Sequence, residues 1–264
     1  MICRRHVDGW LFISQLAHAR MAGELAAAWG NAQFAAPRPR DAVILATQLH
    51  DIGWLKWDAR PRLGDDNRPA NFLDTTLEET IPIWRQAVEW VRIINPFAGL
   101  LVSLHATTIY RRRLERNVDP PEKRVLVQNL IEEQEGVQAG LRLDLVGHPE
   151  YGNATKLQRL AVIYRWLRVS DLLSLAVLAG ALPQEGQIQQ VPIGNGDEFS
   201  AITYRCHPPF ALEISPWPFA GSEIQIPIHA RYLNQETFLD QGSYQFALAQ
   251  APWQSISITL RSSN

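Results

Sequence analysis

The stretch ILATQLHDIGWLKWD, residues 44 to 58, sets the reading of the whole chain. A helix apolar on nearly every side ends here in a histidine, an aspartate and, two residues later, a glycine. Burying an imidazole and a carboxylate is costly unless each is hydrogen-bonded, charge-paired or bound to a metal. Neighbours on a straight helix diverge by about 100 degrees. His50 and Asp51 can therefore meet one ion most readily at a helix end, and Gly53 is placed to supply that end.

Working outward, Asp41 after the proline-rich APRPR is expected to cap a helix from Ala42 to His50. Upstream, Ser14 caps a helix from Gln15 to Trp29 that carries His18, with Gly30 as its stop. Before it, Asp8-Gly9 divides two short strand-like runs as a hairpin turn would. Downstream, 58 to 74 reads as an irregular lid or wall. Helices follow from Thr76 to Ile94, Pro96 to Glu115, Pro120 to Ala139 (closed by Gly140) and Ala154 to Leu182. Beyond Pro183, GQIQQVPIGNGDEF is rich in turn residues, and ALEIS, EIQIPIHARYL, YQFALAQ and SISITL alternate as strands do.

The expectation is a mainly α protein of about six helices with a small C-terminal antiparallel β-sheet, which the N-terminal hairpin is a candidate to join. Its division is a hairpin over 1–13, a helical domain over 14–182 and a β-rich subdomain over 183–264.

Asp171 lies between LRVS and LLSLAVLAG, where an unpaired carboxylate would be heavily penalised. Its helical face carries Tyr164, Leu167, Arg168, Ser174 and Leu175, and a salt bridge to Arg168 is the competing explanation for it. Two more residues share this logic. His18 sits in the first turns of an early helix, and His105 ends the apolar run of LLVSLHATTIYRRRLER, with Thr108, Ile109 and Arg112 on its face.

The order His18, His50-Asp51, Asp171 across separate helices resembles the HD-domain superfamily of metal-dependent phosphohydrolases, and HDIG is similar to its signature. More narrowly, HARMAGELAAAWG, HDIGWLKWD, PANF and SLHATTIY resemble an uncharacterised bacterial group of HD-like proteins. The resemblance implies an all-helical core over roughly residues 14 to 182. In it His18, His50, Asp51 and Asp171 bind a divalent metal, commonly for phosphate-ester hydrolysis. Trp54 departs from the pattern of many hydrolytic relatives, where a lysine follows the glycine; Lys56 lies nearby.

Imidazole and carboxylate together suit Mn, Fe, Ni or Mg. An open coordination position would activate a water towards phosphorus. His105 is then a general acid, a ligand to a second metal, or a core histidine bonded to backbone. Arg112 is a candidate for a substrate phosphate, and Lys56 and Asp58 for the pocket mouth. The leading expectation is a hydrolase of a small phosphorylated metabolite or nucleotide. The alternatives are a di-iron oxygenase of HD type and a non-catalytic metabolite-binding protein whose strand-rich tail mediates homodimerisation or partner docking.

Bulk properties narrow the partners. A net charge of −2 argues against a general nucleic-acid binder. Only two cysteines, Cys3 and Cys206, are present, which suits a reducing, cytoplasmic setting. Arg4 and Arg5 before WLFI imitate a signal peptide, but Asp8, Gly9, Ser14 and Gln15 interrupt the run, so no membrane insertion is expected.

Overall fold

In the computed structural model, which describes residues 1–180, 182–194 and 196–263, the chain opens with a hairpin. Strands β1 (Ile2–His6) and β2 (Gly9–Ile13) pair antiparallel, and Ser14 then caps α1 (Gln15–Ala28), accepting a hydrogen bond from the Ala17 amide at 3.0 Å. The second helix, α2 (Arg40–Leu49), starts earlier than its sequence signals: Pro39 stands at the cap and Asp41 lies within the first turn. An acidic side chain there still favours the positive end of the helix.

A 3-10 turn at Ile52–Trp54 leads into the short α3 (Leu55–Ala59). The following α4 (Leu77–Ile94) begins with a reciprocal capping box between Thr76 and Glu79, and α5 (Pro96–Arg116) with the Asn95 cap followed by proline. Helix α6 (Pro121–Leu145) runs straight through Gly140. That glycine is exposed, and an added Cβ would meet nothing, so it is an unpacked surface position rather than a stop. Helix α7 (Leu157–Leu178) is shorter than the stretch expected from Ala154 to Leu182; Gly180 adopts a left-handed φ of +59 just past its end, and position 181 of that stretch lies outside the described residues.

The expectation of a mainly α protein with a small sheet is overturned. About half the chain is helical, and seven strands build one large sheet curled into a half-barrel. Its further strands are β3 (Glu185–Pro192), β4 (Phe199–His207), β5 (Ala211–Ser215), β6 (Glu223–Leu233) and β7 (Trp253–Ser262). The order is β1-β2-β6-β7-β5-β4-β3. Every pair is antiparallel except β5 with β7, so the sheet is mixed rather than an antiparallel meander.

Two local readings change with it. GQIQQVP, taken as turn-rich, lies in β3, whose Ile188 and Val191 point into the core; position 195 of the same expected loop lies outside the described residues. YQFALAQ, taken as a strand, lies in helix α8 (Gln241–Gln250). There Asp240 accepts from the Ser243 amide at 2.7 Å while Ser243 Oγ reaches back to the Asp240 amide, a capping box that selects the helix.

Helices and sheet share one core. Leu25 of α1 and Leu173 and Val177 of α7 pack in the same cluster as Ile188, Ile202, Leu212, Ile214, Ile226, Ile258 and Leu260 from the concave strands. Full burial of such a side chain stabilises by about 1.5–3 kcal/mol. A second cluster seats Tyr244 and Leu248 of α8 against Cys3 and Phe12 of the hairpin. Cys3 and Cys206 are both free, and no described helix is long and apolar enough to cross a membrane.

Candidate metal centre

Four helices deliver the polar residues that the core surrounds. His18 lies one turn into α1, His105 midway along α5 and Asp171 on α7, while His50 caps the C-terminus of α2. Asp51 then leaves helical geometry, at φ −102 and ψ 15, which swings its carboxylate onto the same side as the His50 ring. The turn that follows can lie directly against α4 because Gly53 has no side chain: a Cβ there would sit 2.0 Å from the Ile83 carbonyl oxygen. Gly23 does similar work where α1 crosses α2, since its Cβ would meet Gln48 Cγ at 1.9 Å. Close approach of these two helices brings the His18 and His50 rings edge to face, with centroids 5.4 Å apart.

The five side chains converge. His18 Nε2 lies 3.1 Å from Asp171 Oδ1 and 3.7 Å from Asp51 Oδ2. His50 Nε2 lies 3.5 Å from each of the same two oxygens. His105 Nε2 stands 3.7 Å from the other Asp171 oxygen. All five residues are buried, the most exposed being Asp171 at 7%. Their ligand atoms form two overlapping triads, His18-His50-Asp51 and His50-His105-Asp171, each with its atoms within 4.8 Å of one another.

The outer nitrogens of two histidines are both hydrogen-bonded. Ser174 Oγ lies 2.9 Å from the Asp171 carbonyl and 2.8 Å from His18 Nδ1; with its one proton given to the carbonyl, its oxygen accepts from Nδ1. His50 Nδ1 donates to the Thr47 carbonyl at 2.8 Å, an oxygen that can only accept. In this arrangement both Nε2 atoms are free to present lone pairs towards two carboxylates. Lone pairs facing carboxylate oxygens repel unless a proton or a metal cation lies among them. The donor set of imidazoles and carboxylates, with its outer nitrogens hydrogen-bonded, fits a divalent cation.

Without a metal, protons take over that task. Burial opposes charge on His50, but Asp51 beside it, the hydrogen bond to Asp171 and the Thr47 carbonyl together push it up to about 9. Burial raises Asp51, with His50 and His18 acting against it. Asp171 resists the same burial because hydrogen bonds from His18 and His50 hold its carboxyl well below the usual range. His105 goes the other way: burial, with the nearby His50, His18 and Arg112 adding to it, lowers it to about 3 despite Asp171.

His18, His50, Asp51, Asp171 and His105 are therefore gathered in one place. Arg112 is exposed on α5, seven residues past His105, and close enough to bear on the His105 and Tyr164 protonation. Lys56 is exposed on α3 without a hydrogen-bond or ion-pair partner among the described residues. Asp58 does not line a pocket mouth: its carboxylate takes the Met1 amine at 2.6 Å and the Gln15 amide at 2.7 Å. Arg168 forms no salt bridge with Asp171 among the described residues. Sequence reasoning missed the supporting roles of Ser174, Thr47 and Tyr164, whose hydroxyl lies 3.1 Å from His105 Nδ1. The signal was spacing: Ser174 follows Asp171 by three residues and Thr47 precedes His50 by three.

Residues 1–235 match the model of a family described as a protein of unknown function (DUF3891), and the chain belongs to that family. The match takes in all five residues of the centre. No curated protein and no solved structure matches the chain.

Proposed function

We propose that this member of the DUF3891 family is a metal-dependent hydrolase of a small phosphorylated metabolite or nucleotide, with a divalent ion held by His18, His50, Asp51 and Asp171. The observation that carries the reading is the pair of Nε2 atoms, each held by an outer hydrogen bond, aimed at two buried carboxylates. Mn, Fe, Ni and Mg suit this donor set. Such an ion supplies activation of water and charge neutralisation on a phosphoryl oxygen. The likeness of the ligand order to HD-domain phosphohydrolases supports the same reading.

The chain's own residues supply the rest. His105 enters as a neutral imidazole, because its protonation is suppressed to about 3. It is suited to act as a fifth ligand through its lone pair, and poorly suited to carry a proton in either direction. Tyr164 holds its ring in place. Arg112 and Lys56, both exposed, offer positive charge to an incoming anion.

A second reading has one specific observation in its favour. The ligand atoms fall into two triads, so one ion would be held by His18, His50 and Asp51 and a second by His105 and Asp171. Two irons would suit the oxygenase alternative. Metal analysis of the purified protein separates the readings by stoichiometry.

The test of hydrolysis is a panel of phosphomonoesters, phosphodiesters and nucleotides presented to Mn-loaded protein. Turnover that His50→Ala abolishes is expected. A folded, fully metal-loaded protein that turns over no member of the panel overturns the reading in favour of a non-catalytic binding protein.

A further inference from the structure

We propose that Arg168 and Arg112 form an anion clamp beside the metal centre, and that its ligand is the dianionic phosphoryl group of a phosphomonoester rather than a phosphodiester. The inference rests on the phosphohydrolase reading for its substrate class, but the clamp itself rests on geometry.

On α7, Tyr164, Arg168 and Asp171 follow at spacings of four and three, one face of the helix. The two outer members flank His105: Tyr164 reaches its Nδ1 at 3.1 Å, and Asp171 lies 3.7 Å from its Nε2. Arg168 falls between them and so faces the same seam. On α5, His105, Thr108 and Arg112 share a face by spacings of three and four. Arg112 therefore extends the seam outward. Exposure grades along it, from buried Asp171 through half-buried Arg168 to exposed Arg112.

The arginines' partners separate them from their neighbours. Within Arg111-Arg112-Arg113, Arg111 pairs with Glu135, and Arg113 grips Asp119 through two hydrogen bonds of 2.6 and 2.7 Å. Among the described residues Arg112 has neither a carboxylate within reach nor a hydrogen bond. Arg168 has none either, and its Nε is buried with no acceptor. A buried donor left unmatched is uncommon and costly. Burial lowers Arg168, and positive Arg112 and Arg165 lower it further, outweighing Tyr164 and Asp171. Two unpaired guanidiniums near one another call for an anion of more than one charge.

The charge and oxygen count select the ligand. A phosphomonoester carries up to two negative charges and three non-bridging oxygens, enough for two guanidiniums and a cation. A phosphodiester has one charge and two such oxygens. Guanidinium forks match phosphoryl oxygens in pairs, which a lysine does not do.

The experiment is calorimetric titration of Mn-loaded protein with inorganic phosphate and, separately, with dimethyl phosphate. Phosphate should bind, and dimethyl phosphate should bind at least about tenfold more weakly. Arg168→Ala and Arg112→Ala should each weaken phosphate binding by about tenfold or more, with Mn affinity unchanged, while Arg111→Ala leaves it unaltered. Arg168→Lys keeps the charge and the aliphatic stem, and should retain part of the affinity if the alanine variant does not fold. Equal binding of the two probes, or phosphate binding indifferent to both Arg112→Ala and Arg168→Lys, overturns the clamp. Phosphate held through both arginines without turnover of any ester would leave the clamp standing and reject the hydrolase. Ester turnover indifferent to both variants would do the reverse.

Discussion

His18 presents its Nδ1 to the Ser174 hydroxyl at 2.8 Å, and Ser174 stands one turn beyond Asp171 on α7. The helix that supplies an acidic ligand thus also aims the imidazole supplied by α1. With the Ser174 proton given to the Asp171 carbonyl at 2.9 Å, His18 carries its own at Nδ1. This arrangement directs the Nε2 lone pair inward and ties the ligand geometry to the packing of α1 against α7.

Replacing Ser174 with alanine should lower divalent-metal affinity by about 10–100-fold. It leaves a buried N–H without an acceptor, at a cost of about 1–3 kcal/mol. Chelator competition reads the first effect and urea denaturation the second. Unchanged metal affinity would mean that the His18–Ser174 contact does not orient a ligand.

Metal uptake should release a proton. In the metal-free protein His50 is pushed up to about 9, above its ordinary value of 6.5, so it is charged at neutral pH and a cation must displace that proton. Affinity for Mn should climb by up to about tenfold per pH unit from 6.5 towards 9 and level off above. The raised value also stabilises the metal-free fold, fully below pH 6.5, and this contribution is lost as pH rises through about 9. Bound metal should flatten that loss. Thermal melts with and without Mn across this range check the sign, and an affinity independent of pH between 7 and 9 would contradict it.

Gly53→Ala should destabilise the protein by at least about 2 kcal/mol, because the added methyl overlaps the Ile83 carbonyl. Gly136→Ala, in α6 where a Cβ meets nothing, should be neutral or stabilise by up to about 1 kcal/mol. Urea midpoints of the two variants make the comparison. A tolerated Gly53→Ala would show that the turn after Asp51 has room to move.

Much of the centre was legible because its residues offend their surroundings. A carboxylate amid the leucines of α7 and a His-Asp pair ending an apolar helix both require partners, and that requirement is visible before any fold is known. The sheet was harder to read. EIQIPIHARYL announces β6 by alternation, but β3 is polar on its outer face and runs into turn residues, so its pairing with β4 is not visible locally. Helix α8 was missed because YQFALAQ alternates as a strand does, when Asp240 and Ser243 just before it form a helix cap. Ser174, Thr47 and Tyr164 were ordinary helix residues until their histidines came within reach.

Metal should also be visible in stability. At a Mn concentration about 100 times the dissociation constant, binding contributes about 2.7 kcal/mol. In a chain of this size that corresponds to a rise in Tm of very roughly 5–10 °C. Asp171→Asn, which removes a ligand charge while keeping the shape, should abolish the rise. A Mn-dependent Tm that survives this substitution would place the ion elsewhere.

Crystals of the Mn-loaded protein, with diffraction measured at the manganese absorption edge, address the central claim most directly. The account predicts an anomalous peak within about 2.0–2.3 Å of His18 Nε2, His50 Nε2 and an oxygen each from Asp51 and Asp171. Protein that takes up no manganese, or a peak that appears only away from these four side chains, would contradict it.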